Sequence, residues 1–132
     1  MKVVVADTSA LIRLYIPDGP IPGDFERHIE LAWRAETVVM IPELALAEVA
    51  QVLLKKQRSG SLKESEVDEI MSAFLELPLE VVGHLELLPD ALLLARQNDL
   101  SVYDALFLAL AMKMKAELIT ADPRLKQVFD RL

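Results

Sequence analysis

Asp7 and Asp122 each stand just past a short apolar run, Lys2 to Ala6 in the first case and Glu117 to Thr120 followed by one alanine in the second. Open α/β sheets bind ligands beyond the carboxyl ends of their strands, near a switch in strand order. If the two runs are neighbouring strands, both carboxylates enter one crevice. Glu48 and Asp104 fall inside stretches with helical character and complete a candidate set of four. A hard divalent cation takes oxygen ligands, and three or four carboxylates converging from separate elements supply them. The chain has no cysteine, and its two histidines, His28 and His84, are isolated, so thiolate zinc and iron-sulfur chemistry are excluded.

Each of these residues also has an ordinary structural use. Asp7 and Asp122 precede helical stretches, and Asp122-Pro123 is a favoured opening pair, so capping alone accounts for either. Ser101-Val102-Tyr103-Asp104 has the spacing of a capping box. Glu48 lies on a polar stripe with Gln51, Lys55 and Arg58, which is ordinarily a solvated helix face. Taken singly, each carboxylate is explained without chemistry. Only the set points to a metal.

The elements that would position the set follow from the pattern of apolar residues. Lys2 to Ala6 reads as a strand buried on both faces, followed by a helix near Ser9 to Tyr15. Pro17 to Gly23, rich in proline and glycine, is a loop before a helix near Asp24 to Ala35. Thr37 to Ile41 is a second strand, and Pro42 is expected to open a helix reaching Arg58, ended by Ser59-Gly60-Ser61. Leu62 to Leu75 is helical, Leu79 to Val82 a third strand, and Pro89 opens a helix to Asn98. Ser101 to Lys115 is helical, with Ala105 to Met112 apolar all round, which marks it as central and buried. Glu117 to Thr120 is a fourth strand before a last helix from Pro123. Strands separated by helices predict a three-layer α/β/α sandwich with a central parallel sheet of four to five strands. Residues 1–132 are expected to form a single domain.

Composition narrows the partners. The formal charge of -7 is the wrong sign for holding nucleic acid by bulk electrostatics, so any such contact must be local. The basic clusters, Lys55, Lys56, Arg58 and Lys63, and then Arg124, Lys126 and Arg131, each read singly as solvated surface. An apolar fraction of 53% suggests surface that a partner covers, and a homodimer is expected. The longest apolar run is too short to span a membrane, and the N-terminus reads as a strand rather than a signal peptide, so a cytoplasmic location is expected.

Ala6 to Leu11 after a strand, Pro42 to Glu48, Val102 to Ala105 with Leu108 to Ala111, and Leu118 to Asp122 together resemble the motifs of PIN-domain ribonucleases, in family order, from Lys2 to about Leu125. Within that family the chain most resembles the VapC-type toxins of toxin-antitoxin systems. The resemblance implies a sheet ordered 3-2-1-4, often with a short fifth edge strand that is absent or vestigial here. It implies Mg2+ or Mn2+ held by Asp7, Glu48, Asp104 and Asp122, with Thr8 and Thr120 as hydroxyl residues beside the site. It further implies RNA as substrate, a 5'-phosphate product and a small antitoxin protein as partner. Gln51, Lys55 and Arg58, on the stripe of Glu48, are then candidates to line the RNA groove. Two rivals are weighed. A haloacid-dehalogenase-type phosphotransferase needs a second aspartate two residues after Asp7, where this chain has Ser9. A catalytically inactive PIN-fold module for RNA binding or protein interaction is opposed by the intact acidic set.

Overall fold

The computed structural model describes residues 1–132. Strand β1 (Lys2–Ala6) carries consecutive valines with no polar alternation, and Val4, Val5 and Ala6 are all fully buried. Such a run suits a parallel strand covered by helices on both faces. β1 is central, flanked by β2 (Thr37–Pro42) and β4 (Glu117–Ile119), and β3 (Leu79–Val82) lies outside β2. All pairings are parallel and the order is β3-β2-β1-β4. The chain thus builds outward from β1 on one side before crossing to place β4 on the other. The switch in direction falls between β1 and β4. No fifth strand joins the sheet.

Helices α1 (Thr8–Arg13), α2 (Phe25–Trp33), α3 (Leu44–Arg58), α4 (Glu64–Leu75), α5 (Leu88–Asn98), α6 (Val102–Met114) and α7 (Pro123–Asp130) flank the sheet. α6 packs on β1, β2 and α5, while α2 lies against β2 and α7 against β4. One contiguous core of 31 apolar residues joins these layers. Between α1 and α2, the Arg13 guanidinium donates to the Pro20 carbonyl at 3.0 Å. A Cβ at Gly19 would crowd that guanidinium, so a larger residue there would make the Arg13 side chain shift. Lys56 pairs with Asp18 at 2.8 Å and ties the same loop to α3.

Two expectations change. Pro42 does not open α3; it ends β2, paired with Val82, and the ladder runs on as Glu43 N–H donates to the Val82 carbonyl at 2.8 Å. α3 therefore starts at Leu44, because sheet pairing outweighs the local preference of proline for a first helical turn. The second change concerns the end of the apolar stretch in α6, where Met112 is 45% exposed rather than buried. Ala105 to Ala111 is buried within the chain itself, so this run needs no partner to cover it. Exposed apolar side chains are concentrated on α5 and the 3-10 turn Leu85–Leu87 before it, at Leu85, Leu88, Leu92 and Leu93, while Trp33, Leu75, Val81 and Tyr103 are exposed elsewhere. No helix is long and apolar enough to cross a membrane.

Candidate metal centre

The switch between β1 and β4 is where the carboxylates gather. Asp7 follows the last residue of β1, and its N–H continues the ladder by donating to the Ile119 carbonyl of β4 at 3.1 Å. That bond brings Asp7 beside Thr120. Asp7 is only 5% exposed, yet both carboxylate oxygens are satisfied. Oδ1 accepts from Ser9 Oγ at 2.7 Å and from Ala10 N–H at 2.9 Å, and Oδ2 accepts from Thr120 Oγ1. The same hydroxyls accept from the opposite strand end: Ala121 N–H donates to Ser9 Oγ at 2.9 Å and Asp122 N–H to Thr120 Oγ1 at 3.0 Å. Two hydroxyls thus close the seam over Asp7. Burial still pushes its carboxyl above the ordinary aspartate range, against the lowering effect of these bonds, with a further upward contribution from Asp104.

The other three carboxylates are held more loosely. Glu48 reaches the site from the second turn of α3, half-buried, and its Oε1 accepts from Thr8 Oγ1 at 2.6 Å. Asp104 occupies the first turn of α6, where Ser101 Oγ accepts from its backbone N–H at 3.1 Å. The reciprocal half of that capping box is not made, so the Asp104 carboxylate points elsewhere. Asp122 caps α7 through bonds from Arg124 N–H at 2.9 Å and Leu125 N–H at 3.4 Å. Desolvation is the largest cause raising the pKa of both Glu48 and Asp104. Glu48 also feels Asp104 and Asp7, and Asp104 feels Asp122, so the four charges form one mutually repelling group.

The structure therefore brings all four expected carboxylates to one edge of the sheet, with Thr8 and Thr120 bonded to two of them. The capping readings of Asp7 and Asp122 are also true, and a residue can do both. Gln51, Lys55 and Arg58 lie exposed along α3 beyond Glu48 and make no contact with the acidic group. No three acidic or histidine side chains close into a tight metal cage. A set of separated hard oxygen donors around a shared space fits a magnesium-like ion, which keeps several waters and is held by only one or two carboxylates. Sequence reasoning missed Ser9 and Arg124. Ser9 was legible only as a small helix-starting residue, because its role depends on β4 lying beside β1. Arg124 was read within a surface cluster, whereas its charge reaches Asp104.

Comparison with known proteins agrees with this fold. The PIN domain profile matches residues 4–130. Ribonuclease VapC3 of Pyrobaculum aerophilum is 37% identical over 134 residues, spanning 100% of this chain and 98% of that protein. Among solved structures, the fold is similar to that of PAE2754 from Pyrobaculum aerophilum, with a TM-score of 0.74 and 21% identity over 97% of this chain and 79% of the other. It is also similar to Mycobacterium tuberculosis VapC20, described as a sarcin-ricin loop cleaving toxin, with a TM-score of 0.63 and 18% identity over 94% and 93% of the two chains.

Proposed function

This chain belongs to the PIN-domain family, and we propose that it is a VapC-type ribonuclease, dependent on Mg2+ or Mn2+, that hydrolyses RNA phosphodiester bonds as the toxin of a toxin-antitoxin pair. The observation that carries the reading is the convergence of Asp7, Glu48, Asp104 and Asp122 at the β1–β4 switch, with whole-chain identity to a VapC ribonuclease beside it. When bound, a divalent ion supplies Lewis-acid chemistry, lowering the pKa of a water and balancing charge on the scissile phosphate. Asp7, fixed by Ser9, Ala10 and Thr120, acts as the rigid anchor of the ligand set. Asp104 and Glu48 complete the set, and Asp122 serves as ligand or as the base that orients the attacking water. Burial of Asp7 beneath the seam limits bulk water around the anchor.

The test is a cleavage panel of transfer, ribosomal and messenger RNA with magnesium, with manganese and with EDTA. Cuts that need metal and leave 5'-phosphate ends are expected. Absence of cleavage with either metal across the panel defeats the reading. The partners follow from the same proposal. A small antitoxin protein should abolish cleavage when mixed with the chain, and the exposed face of Leu85, Leu88, Leu92 and Met112 is the surface for a homodimer. Light scattering at tens of micromolar should give twice the 14.7 kDa chain mass.

A further inference from the structure

An acidic pocket on a chain of charge -7 repels the substrate it would cut. Affinity for a single-stranded chain must then come from contacts that carry no net charge, or from cations held at fixed points. Stacking of a base on an aromatic ring is a contact of the first kind, and it tolerates any sequence. The aromatic residues are few, and most serve the core. Phe25, Phe74 and Phe107 are fully buried, and Tyr15 and Phe129 pack against the core. Only Trp33 and Tyr103 stay mostly exposed, at 62% and 60%. Trp33 ends α2 just before β2 begins, at the amino edge of the sheet and away from the carboxylates. Tyr103 immediately precedes Asp104 in the first turn of α6, at the carboxyl edge. It belongs neither to the core nor to the shell packed on it.

A second group stands near the start of α6. Arg124, in the first turn of α7, donates through Nη2 to the carbonyls of Asp99 at 2.7 Å and Asn98 at 3.3 Å. Asp99 adopts a left-handed conformation, φ +52°, as it ends α5, and this turn presents both carbonyls to the guanidinium. The same Nη2 nitrogen lies 3.6 Å from the Asp99 carboxylate, so the arginine is anchored by backbone and by an exposed ion pair, while the donors on Nε and Nη1 make no hydrogen bond within the chain. Its side chain remains 59% exposed, and its charge reaches Asp104. An exposed ring next in sequence to Asp104 and a guanidinium held on the turn just before α6 thus lie at the same end of that helix, and they suit the base and the phosphate of a nucleotide.

We propose that Tyr103 and Arg124 form a nucleotide subsite on the α6–α7 rim of the acidic pocket, Tyr103 stacking on a base of single-stranded RNA and Arg124 holding the neighbouring phosphate. The proposal rests on the ribonuclease reading for its substrate. It adds a sequence-tolerant grip carried by elements other than α3 and its cations. Because the ring and not the hydroxyl is used, phenylalanine should replace Tyr103 and alanine should not.

The experiment uses the full chain and a short fluorescent single-stranded RNA of mixed sequence. With magnesium, Tyr103→Ala should raise KM on the order of tenfold while kcat stays within a small factor, and Tyr103→Phe should match wild type. Arg124→Gln should raise KM and reduce the slope of log affinity against log salt by about one, a change that Tyr103→Ala should not produce. Binding is read separately in EDTA. In a Trp33→Phe, Tyr103→Trp variant the remaining indole reports on the proposed site, and its fluorescence should be quenched by the RNA but not by an abasic sugar-phosphate chain. An unchanged KM in Tyr103→Ala, or equal losses in Tyr103→Phe and Tyr103→Ala, overturns the subsite while leaving the nuclease standing. If wild type cuts no RNA, the ribonuclease reading fails, and the EDTA titration alone decides the stacking: quenching by RNA supports it and silence refutes it.

Discussion

The seam between β1 and β4 and the helical rim formed by α3 and α6 both present carboxylates to the same space, but they hold them differently. At the seam, Asp7 is buried and accepts bonds from Ser9, Ala10 and Thr120. On the rim, Asp104 is half-buried with no bond to its carboxylate, and Glu48 has only the Thr8 hydroxyl. The seam resembles a finished structural element that would persist without a ligand. The rim carries charge that burial and like neighbours make unfavourable, offset only in part by the Thr8 hydroxyl at Glu48 and by the Ser101 and Arg124 groups near Asp104. A site divided this way keeps one ligand fixed and lets the others adjust, which suits a small ion demanding near-octahedral geometry.

The largest expected effect erases the distinction, since both regions are required for chemistry. Asp7→Asn and Asp104→Asn should each lower metal-dependent RNA cleavage on the order of a thousandfold, the several kcal/mol expected for losing charge stabilisation by the ion. Single-turnover assays with folded variants check this, and near-normal activity in either removes that residue from the mechanism. The next effect separates the two regions. In EDTA, Asp7→Ala should lower stability by about 2 kcal/mol, because it deletes a helix cap and strands buried donors. Asp104→Ala should instead raise it, by well under 1 kcal/mol, by relieving repulsion that solvent screens at this half-buried position. Denaturant melts read both changes. Opposite signs are the point, and a loss in both variants breaks the comparison by showing that Asp104 is structural as well.

Much of this contrast was legible in the sequence, but only half of its cause. The strands and helices were readable because apolar runs such as Val3 to Ala6 and Ala105 to Ala111 have no competing pattern. The four carboxylates were readable as a set because two follow strands and two lie in helices. What local pattern does not encode is adjacency. Ser9 and Thr120 lie far apart in the chain, and their hydroxyls come within 3.3 Å only because β4 pairs with β1. Pro42 was misplaced for the same kind of reason, since its partner Val82 lies on another strand. The left-handed turn at Asp99 that anchors Arg124 has no glycine to announce it.

A smaller effect should follow from loosening the one bond on the rim. Thr8→Val removes the donor to Glu48 while keeping the shape of the side chain, and should weaken magnesium affinity about fivefold, near 1 kcal/mol. Isothermal titration of the two proteins measures it. A similar loss from Ser9→Ala would place the two regions on equal terms, whereas a larger one from Ser9→Ala confirms that the seam carries the anchor.

The smallest effect is the pH dependence of the metal-free chain, and its sign follows from the direction of three shifts. Asp7, Glu48 and Asp104 all have folded pKa values raised above their ordinary ones, mainly by burial. A raised folded pKa means that the folded chain binds protons more tightly than the unfolded chain. Stability from this source is fully present below the unfolded values, roughly 3.9 to 4.3, and is lost as pH climbs through the folded ones. In EDTA the melting temperature should therefore fall between mildly acidic and neutral pH. Glu48 and Asp104 are only half-buried, and solvent screening holds their share to well under 1 kcal/mol, on the scale of exposed charge interactions. Asp104→Asn should flatten the fall by removing one titrating group and lowering the pKa of those that feel it. Saturating magnesium should reverse the slope, because an ion binds only the deprotonated folded site and its stabilisation is lost as pH drops. If wild type in EDTA instead gains stability toward neutral pH, hydrogen bonds like those at Asp7 outweigh repulsion throughout the site, and the rim is as settled as the seam.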